Sequence, residues 1–457
     1  MTYFHVNRVQ YPIGQGGFHA TSLHHSGRRF SMVVDCGGDT REHRQGLISA
    51  FAVGRKEHDI LAISHLDWDH IGGIKALTQA GVRFANVFLP HVDEWEYARW
   101  MTVRLASIET ETDALVAEAV DIMAGLYGGR YGRPVRVVSG DGGDLPQGRP
   151  GENDRYPRVS DLLPQDLQVI LSSMDAHCRF PAGHSIAFSY LDWILRFYTW
   201  EWKFPDAMAG IWESDELQPL SMALRDLVQG GLQDDSDELI DAVTDALRTK
   251  VSAAKANRLI KRFGKGQISG RGEVTVKALL GKLYSAVPGL KDYNDASLCV
   301  YSGPAQRSLD MPHERFRRYQ VIKKRDLSAP AERGNEATRA VGWLHTGDVN
   351  LSDAGRATNL VRHYIVELPV TSVLVLPHHG SRHSYSPTLE ELDTLIDALA
   401  ERPLFVATAQ PDHKYGHPHA AVAARCLEGG CLHIVDRRPA SILQESTYVA
   451  GWHCCYE

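Results

Sequence analysis

One stretch constrains this chain more than any other: His65-Leu66-Asp67-Trp68-Asp69-His70-Ile71-Gly72-Gly73, set between the apolar run Asp59-Ile60-Leu61-Ala62-Ile63 and a helix-like segment, Ile74 to Ala80. Two imidazoles and two carboxylates within six residues cannot sit together unpaired at low dielectric, and a divalent cation resolves the conflict. The paired glycines predict a tight turn that lets ligands on both sides converge. A fold carrying this stretch must end a buried strand at the site and start a helix beyond it. That is a mixed α/β pattern with functional residues at strand ends.

The rest of the chain repeats the arrangement. Leu344-His345-Thr346-Gly347-Asp348, Leu376-Pro377-His378-His379-Gly380-Ser381 and Lys414-Tyr415-Gly416-His417-Pro418-His419 each place ligand-type residues after an apolar strand or in a turn. Strands are expected at Phe4–Val9, Phe30–Val34, Ala85–Leu89, Val135–Val138, Leu167–Leu171, Trp193–Trp200, Leu298–Tyr301, Val341–Leu344, Thr371–Leu376 and Leu404–Thr408. Trp95 to about Tyr127 reads as helical, as does most of 205–290. The clearest helix starts in Asp234-Asp235-Ser236-Asp237 and is expected to run to Gly264, with Lys261, Arg262 and Lys265 about its end. The 22 histidines outnumber the 17 tyrosines and point to strand-end chemistry, because histidine is the commonest metal ligand. No apolar run of about 18 residues is present, so no membrane helix is expected. Met1 to Gln10 lacks a signal-peptide pattern, and seven cysteines without a framework spacing fit a reducing, cytoplasmic setting. Cys426, Cys431 and His433, with His453-Cys454-Cys455, do not have the spacing of a zinc module. Gly14-Gln15-Gly16-Gly17 is not a phosphate loop, because no Gly-Lys-Ser/Thr follows.

The His65-x-Asp67-x-Asp69-His70-x-Gly72-Gly73 motif resembles the signature of the metallo-β-lactamase fold superfamily. More narrowly it resembles the branch typified by the soluble hydrolase domain of ComEC-type DNA-uptake proteins, where aspartate stands at the position of Asp67. Ile13-Gly14-Gln15-Gly16, Val34-Asp35-Cys36-Gly37, Asn294-Asp295-Ala296-Ser297-Leu298, Thr346-Gly347-Asp348, His378-His379-Gly380-Ser381 and Tyr415-Gly416-His417-Pro418 match in the same order. The resemblance implies an α/β four-layer αββα sandwich with a largely helical insertion. Residues 1–172 would form its N-terminal half, with a helical elaboration over about 95–128. Residues 173–290 would be the insertion and 291–457 the C-terminal half. It also implies two divalent metal ions, Zn or Mn, with Mg a further option because Asp67 hardens the site. His65 and Asp67 would hold the first, Asp69 and His70 the second, with Asp348 bridging. His378 is favoured over His379 to complete the second, leaving His379 near substrate; His345 and His91 are the candidates for a third ligand of the first. A water activated by the metals would be the nucleophile, oriented by Asp69 or Asp348, with His417 donating to the leaving group or binding phosphate. Ser381 beside His379 imitates a nucleophile and base, but water activated at this site is the stronger nucleophile.

Charge bears on the substrate. The net −7 averages a basic block, 18 Lys and Arg against five Asp and Glu between Arg248 and Arg325, against an acidic remainder. Arg315, Arg317, Arg318, Lys323 and Lys324 are read as a loop leading to the site. Together with Tyr415 they are the substrate-binding candidates, since basic residues interleaved with aromatics suit phosphates and stacked bases. The expected partner is nucleic acid or a phosphorylated substrate, with a protein partner possible through 173–290 and no membrane. The expected activity is a phosphodiesterase or nuclease. The alternatives are hydrolysis of a small ester, lactone or nucleotide, or a partner-regulated effector hydrolase.

Overall fold

The computed structural model describes residues 2–25, 27–38, 40–91, 113–138, 158–159, 179–181, 185–188, 193–200, 214–229, 236–263, 267–268, 272–286, 297–304, 315–321, 340–353 and 355–451. They divide into two compact units. The first comprises 1–90, 135–201 and 296–457; the second comprises 91–134 and 202–295.

The first unit is built on two sheets. The nine-stranded sheet runs, in spatial order, Arg315–Val321, Leu443–Gly451, Thr2–Gln10, His19–His25, Arg28–Val34, Glu57–Ala62, Arg83–Pro90, Arg133–Val138 and Arg179–Pro181. Its centre switches from antiparallel hairpins to parallel pairing at Arg28–Val34 with Glu57–Ala62. The eight-stranded sheet runs Cys431–Val435, Leu404–Thr408, Thr371–Val375, Gly342–His345, Cys299–Pro304, Trp193–Tyr198, Ser185–Phe188 and Arg158–Val159. Its first four strands are parallel, and parallel neighbours need crossovers. The helices Arg356–His363, Glu390–Ala398 and Ala420–Gly429 supply them.

Alternation decides which face each strand buries. Phe30, Met32 and Val34 of one sheet share a core with Leu195, Phe197 and Val300 of the other, so the sheets face each other. The opposite parity of the second sheet, Tyr301, Leu344 and Leu374, packs with Leu360, Leu392 and Val422 of the crossover helices. Between the sheets, Arg8 is fully buried. Its guanidinium donates to Glu445 at 2.8 Å, to Val341 O at 2.7 Å and to Ser302 O at 2.9 Å, and it lies 4.9 Å from the Trp193 ring centroid.

The second unit contains the helices Asp113–Tyr127, Gln218–Gln229, Ser236–Arg248, Ala253–Phe263 and Val276–Ala286 and a two-stranded ribbon, Lys250–Ser252 with Glu273–Thr275. The long helix expected from Asp234 to Gly264 is therefore two helices. Val251 keeps the apolar period through the break, but it does so from a strand. The Ser252 hydroxyl accepts the Lys255 N–H and starts the second helix. The strands Arg179–Pro181, Ser185–Phe188 and Trp193–Tyr198 belong to the sheets of the first unit, so the mainly helical unit takes up again at 202 and not at 173. The basic segment read as a loop is the strand Arg315–Val321, paired antiparallel with Leu443–Gly451. The strand expected at Leu167–Leu171 lies outside the described residues.

Candidate metal centre

The site gathers where parallel strands of both sheets end, the usual ligand position in such sheets. Arg28–Val34 leads to Asp35, Glu57–Ala62 to Ser64 and His65, Gly342–His345 to Asp348, and Thr371–Val375 to His378 and His379. Asp67 opens the one-turn helix Trp68–Ile71, its carbonyl accepting the His70 and Ile71 N–H groups at 2.8 and 2.9 Å. This turn points Asp69 and His70 back toward the strand end. Gly72 and Gly73 have φ of −62° and −97°, which any residue adopts, so their conformation does not demand glycine. Space does: a Cβ on Gly73 would lie 2.7 Å from Cys36 Sγ, and one on Gly72 would lie 2.7 Å from Trp68 O. The same close approach brings Gly37 against Asp69 and His70.

Two ligand groups converge. His65, His70 and Asp348 form one; Asp69, His70 and His379 form the other. His65 Nε2 lies 3.2 Å from Asp67 Oδ2 and 3.5 Å from Asp348 Oδ2. His70 Nε2 lies 3.3 Å from Asp348 Oδ1 and 3.4 Å from His379 Nε2. His379 Nε2 is 3.3 Å from Asp69 Oδ2 and 3.6 Å from Asp348 Oδ1. His379, not the favoured His378, thus joins Asp69 and His70. His378 Nε2 is 3.8 Å from Asp348 Oδ2, the oxygen that also faces His65. The reason is backbone geometry. His378 and His379 both adopt left-handed φ, 48° and 59°, which turns the second ring inward. The His378 N–H bond to Gly347 O at 3.0 Å and the Ser381 N–H bond to His378 O at 2.8 Å hold that strained turn.

These residues fit a divalent cation. On the far side each inward imidazole meets an oxygen at Nδ1: His70 meets Asp35 Oδ2 at 2.8 Å, His379 meets Thr408 Oγ1 at 3.1 Å and His65 meets Ser64 Oγ at 2.9 Å. That arrangement aims the Nε2 lone pairs at carboxylates, and acceptors facing acceptors call for a cation between them. Asp348 Oδ1 is buried without a hydrogen bond. Burial pulls the His70 imidazole down, but Asp348, Asp35 and Asp69 outweigh it and hold it well above the usual histidine range. Burial likewise pushes Asp348 up, yet His379, His378, His65 and His70 hold it well below the usual carboxylate range. Asp69 is also held low, burial being overcome by His70 and by the hydrogen bond from His379. A field that favours a proton at the centre favours a metal in its place.

The remaining candidates fall at different distances from this centre. The His417 ring is 5.8 Å from that of His378, and burial followed by His379 and His378 pushes it down to about 4. Tyr415, 57% exposed, stacks on His417 at 5.9 Å and 16°, with Lys414 Nζ 4.8 Å from its ring centroid. Neither ligand group contains His91 or His345. His345 shares the parity of Trp343 and faces between the sheets, its ring 4.3 Å from that of His19. The strand carrying Arg315, Arg317 and Arg318 is described, but their side chains, and Lys323 and Lys324 altogether, lie outside the described residues. Sequence reasoning did not pick out Ser64 or Thr408, and gave Asp35 no role beyond a motif match. Their only signal is position, immediately before a ligand motif or at the last residue of a neighbouring strand. No helix among the described residues is long and apolar enough to cross a membrane.

No curated protein matches the chain. The family model of the metallo-beta-lactamase superfamily matches residues 21–99, the stretch holding Asp35, His65, Asp67, Asp69 and His70. That match and the two ligand groups support the metallo-beta-lactamase superfamily and a metal-dependent hydrolase.

Proposed function

We propose that this chain is a dinuclear metal-dependent phosphodiesterase that cleaves nucleic acid, built on the four-layer αββα sandwich and akin to the ComEC-type branch in its aspartate at position 67. The convergence of His65, His70, His379, Asp69 and Asp348 carries the reading. His65, Asp67 and His378 would hold one ion, Asp69, His70 and His379 the other, with Asp348 between them. Bound Zn or Mn would supply Lewis-acid polarisation of the phosphoryl oxygen and a water acidic enough to attack near neutral pH.

The chain's own residues do the rest. Asp69 and Asp348, held low, stay ionised across the working range and keep the centre anionic. His417, neutral near pH 7, has Nδ1 buried without a hydrogen bond, and its one N–H can donate a hydrogen bond to a phosphate oxygen, while the departing oxygen takes its proton from water. Exposed Tyr415 offers a π-face to a base, and Lys414 beside it suits a phosphate. The basic character of 248–325, including Arg315, Arg317 and Arg318, supports a polyanionic substrate.

Incubating the protein with single- and double-stranded DNA or RNA plus Mn²⁺ or Zn²⁺ tests this. Wild type should cleave, and Asp69→Ala should lose at least about a thousandfold in rate, as expected for groups acting as one unit. Cleavage persisting in Asp69→Ala would sink the proposed site. Saturable turnover of small esters or lactones, with no salt-sensitive nucleic-acid binding, would replace the substrate class.

A further inference from the structure

We propose that Ser64 is the positioning residue that ties His65 to Asp35, the anchor His70 reaches directly, by relaying the carboxylate's charge. The proposal rests on the metal-centre reading and follows from counting protons. Ser64 is buried and its backbone is fully used: its N–H donates to Asp35 Oδ1 at 2.7 Å, and its carbonyl accepts the Leu298 N–H at 2.7 Å. Its Oγ lies 2.7 Å from Asp35 Oδ2, 2.9 Å from His65 Nδ1 and 3.2 Å from His70 Nδ1. A hydroxyl has one proton to give, and an ionised carboxylate only accepts. The Ser64 proton therefore goes to Asp35, and its lone pair is left to accept from His65 Nδ1–H. His70 has the closer acceptor in Asp35 Oδ2 at 2.8 Å and needs no relay.

The outcome is one tautomer for both rings. His70 is set directly by Asp35 and His65 is set through Ser64, each presenting Nε2 to Asp348. The turn that delivers Asp348 passes close behind Ser64, since a Cβ added at Gly347 would stand 2.8 Å from Ser64 Cβ.

The test compares wild type, Ser64→Ala, Ser64→Cys, Asp35→Asn and Ser64→Ala/Asp35→Asn, each prepared metal-free. Zinc affinity is read by competition with a chromophoric chelator. Ser64→Ala should weaken zinc binding by about 10–100-fold, the range for losing a group that orients a ligand. Ser64→Cys, which keeps size and a weak donor, should fall between it and wild type. In the Asp35→Asn background the further loss from Ser64→Ala should shrink below about threefold, because the relay is already cut. Imidazole ¹⁵N spectra of the zinc-loaded protein should show the His65 Nδ1–H signal altered in Ser64→Ala and that of His70 retained. Wild-type affinity in Ser64→Ala, or independent losses in the double variant, overturns the relay alone. A wild-type protein that takes up neither zinc nor manganese overturns the metal centre and the relay with it.

Discussion

His345 shows how little a residue's identity says about its use. Its place after an apolar strand made it a ligand candidate, yet strand parity sends it between the sheets against His19. Burial there pushes its imidazole down to about 3. The folded state holds the ring neutral, while the unfolded chain takes up its proton near pH 6.5. Its contribution to stability is therefore complete above about pH 6.5 and is lost as pH falls toward 3. Between pH 7 and pH 5 the loss should be about 2 kcal/mol from this one group. Urea unfolding of metal-free wild type and His345→Phe at both pH values checks it: the variant should show a shallower fall. An equal fall in both would mean the ring is not buried neutral. The same lesson applies at Gly73, read from its type as easing a tight turn, whereas its φ of −97° is open to any residue and it is space that requires glycine. The nearness of Cys36 is not knowable from residue type.

Elements were legible where a strand is a continuous apolar run buried on both faces. Thr371–Val375 and Leu404–Thr408 stand within a residue of their expected bounds. Leu443–Gly451 gave no such signal because its inward positions include Glu445 and Thr447, both buried. They are polar because Glu445 takes Arg8 of the neighbouring strand and Thr447 donates to Glu445, a fact outside any local pattern. In the helical unit, an unbroken apolar period concealed the ribbon between Ser236–Arg248 and Ala253–Phe263. What fixes that break is tertiary pairing with Glu273–Thr275. Asn257 clasps the returning chain by donating to Ile268 O at 3.1 Å and accepting from Ile268 N at 2.7 Å. Asn257→Ala should cost about 1–2 kcal/mol, read as a lower denaturant midpoint. A variant as stable as wild type would show that this clasp adds nothing to the unit.

At the scale of the molecule, the Arg8–Glu445 pair fastens one sheet to the other through Val341 and Ser302. Removing one partner leaves a buried charge, so Arg8→Met should destabilise by about 3–5 kcal/mol, while Arg8→Met/Glu445→Leu should recover most of it. Thermal unfolding of both variants checks this, and a double variant no better than the single would refute a charge-based account. The sequence by itself determined that a metal-type constellation follows a buried strand, because charge density within six residues has no other low-energy resolution. It pointed as well to later strand ends as the places to look for partners. Only the tertiary structure decided which of two adjacent histidines turns inward, that Ser64 and Thr408 sit behind the ligands, and that His345 faces elsewhere. Those outcomes depend on strand parity, left-handed turns and the spacing between sheets, and these are set by residues hundreds of positions apart.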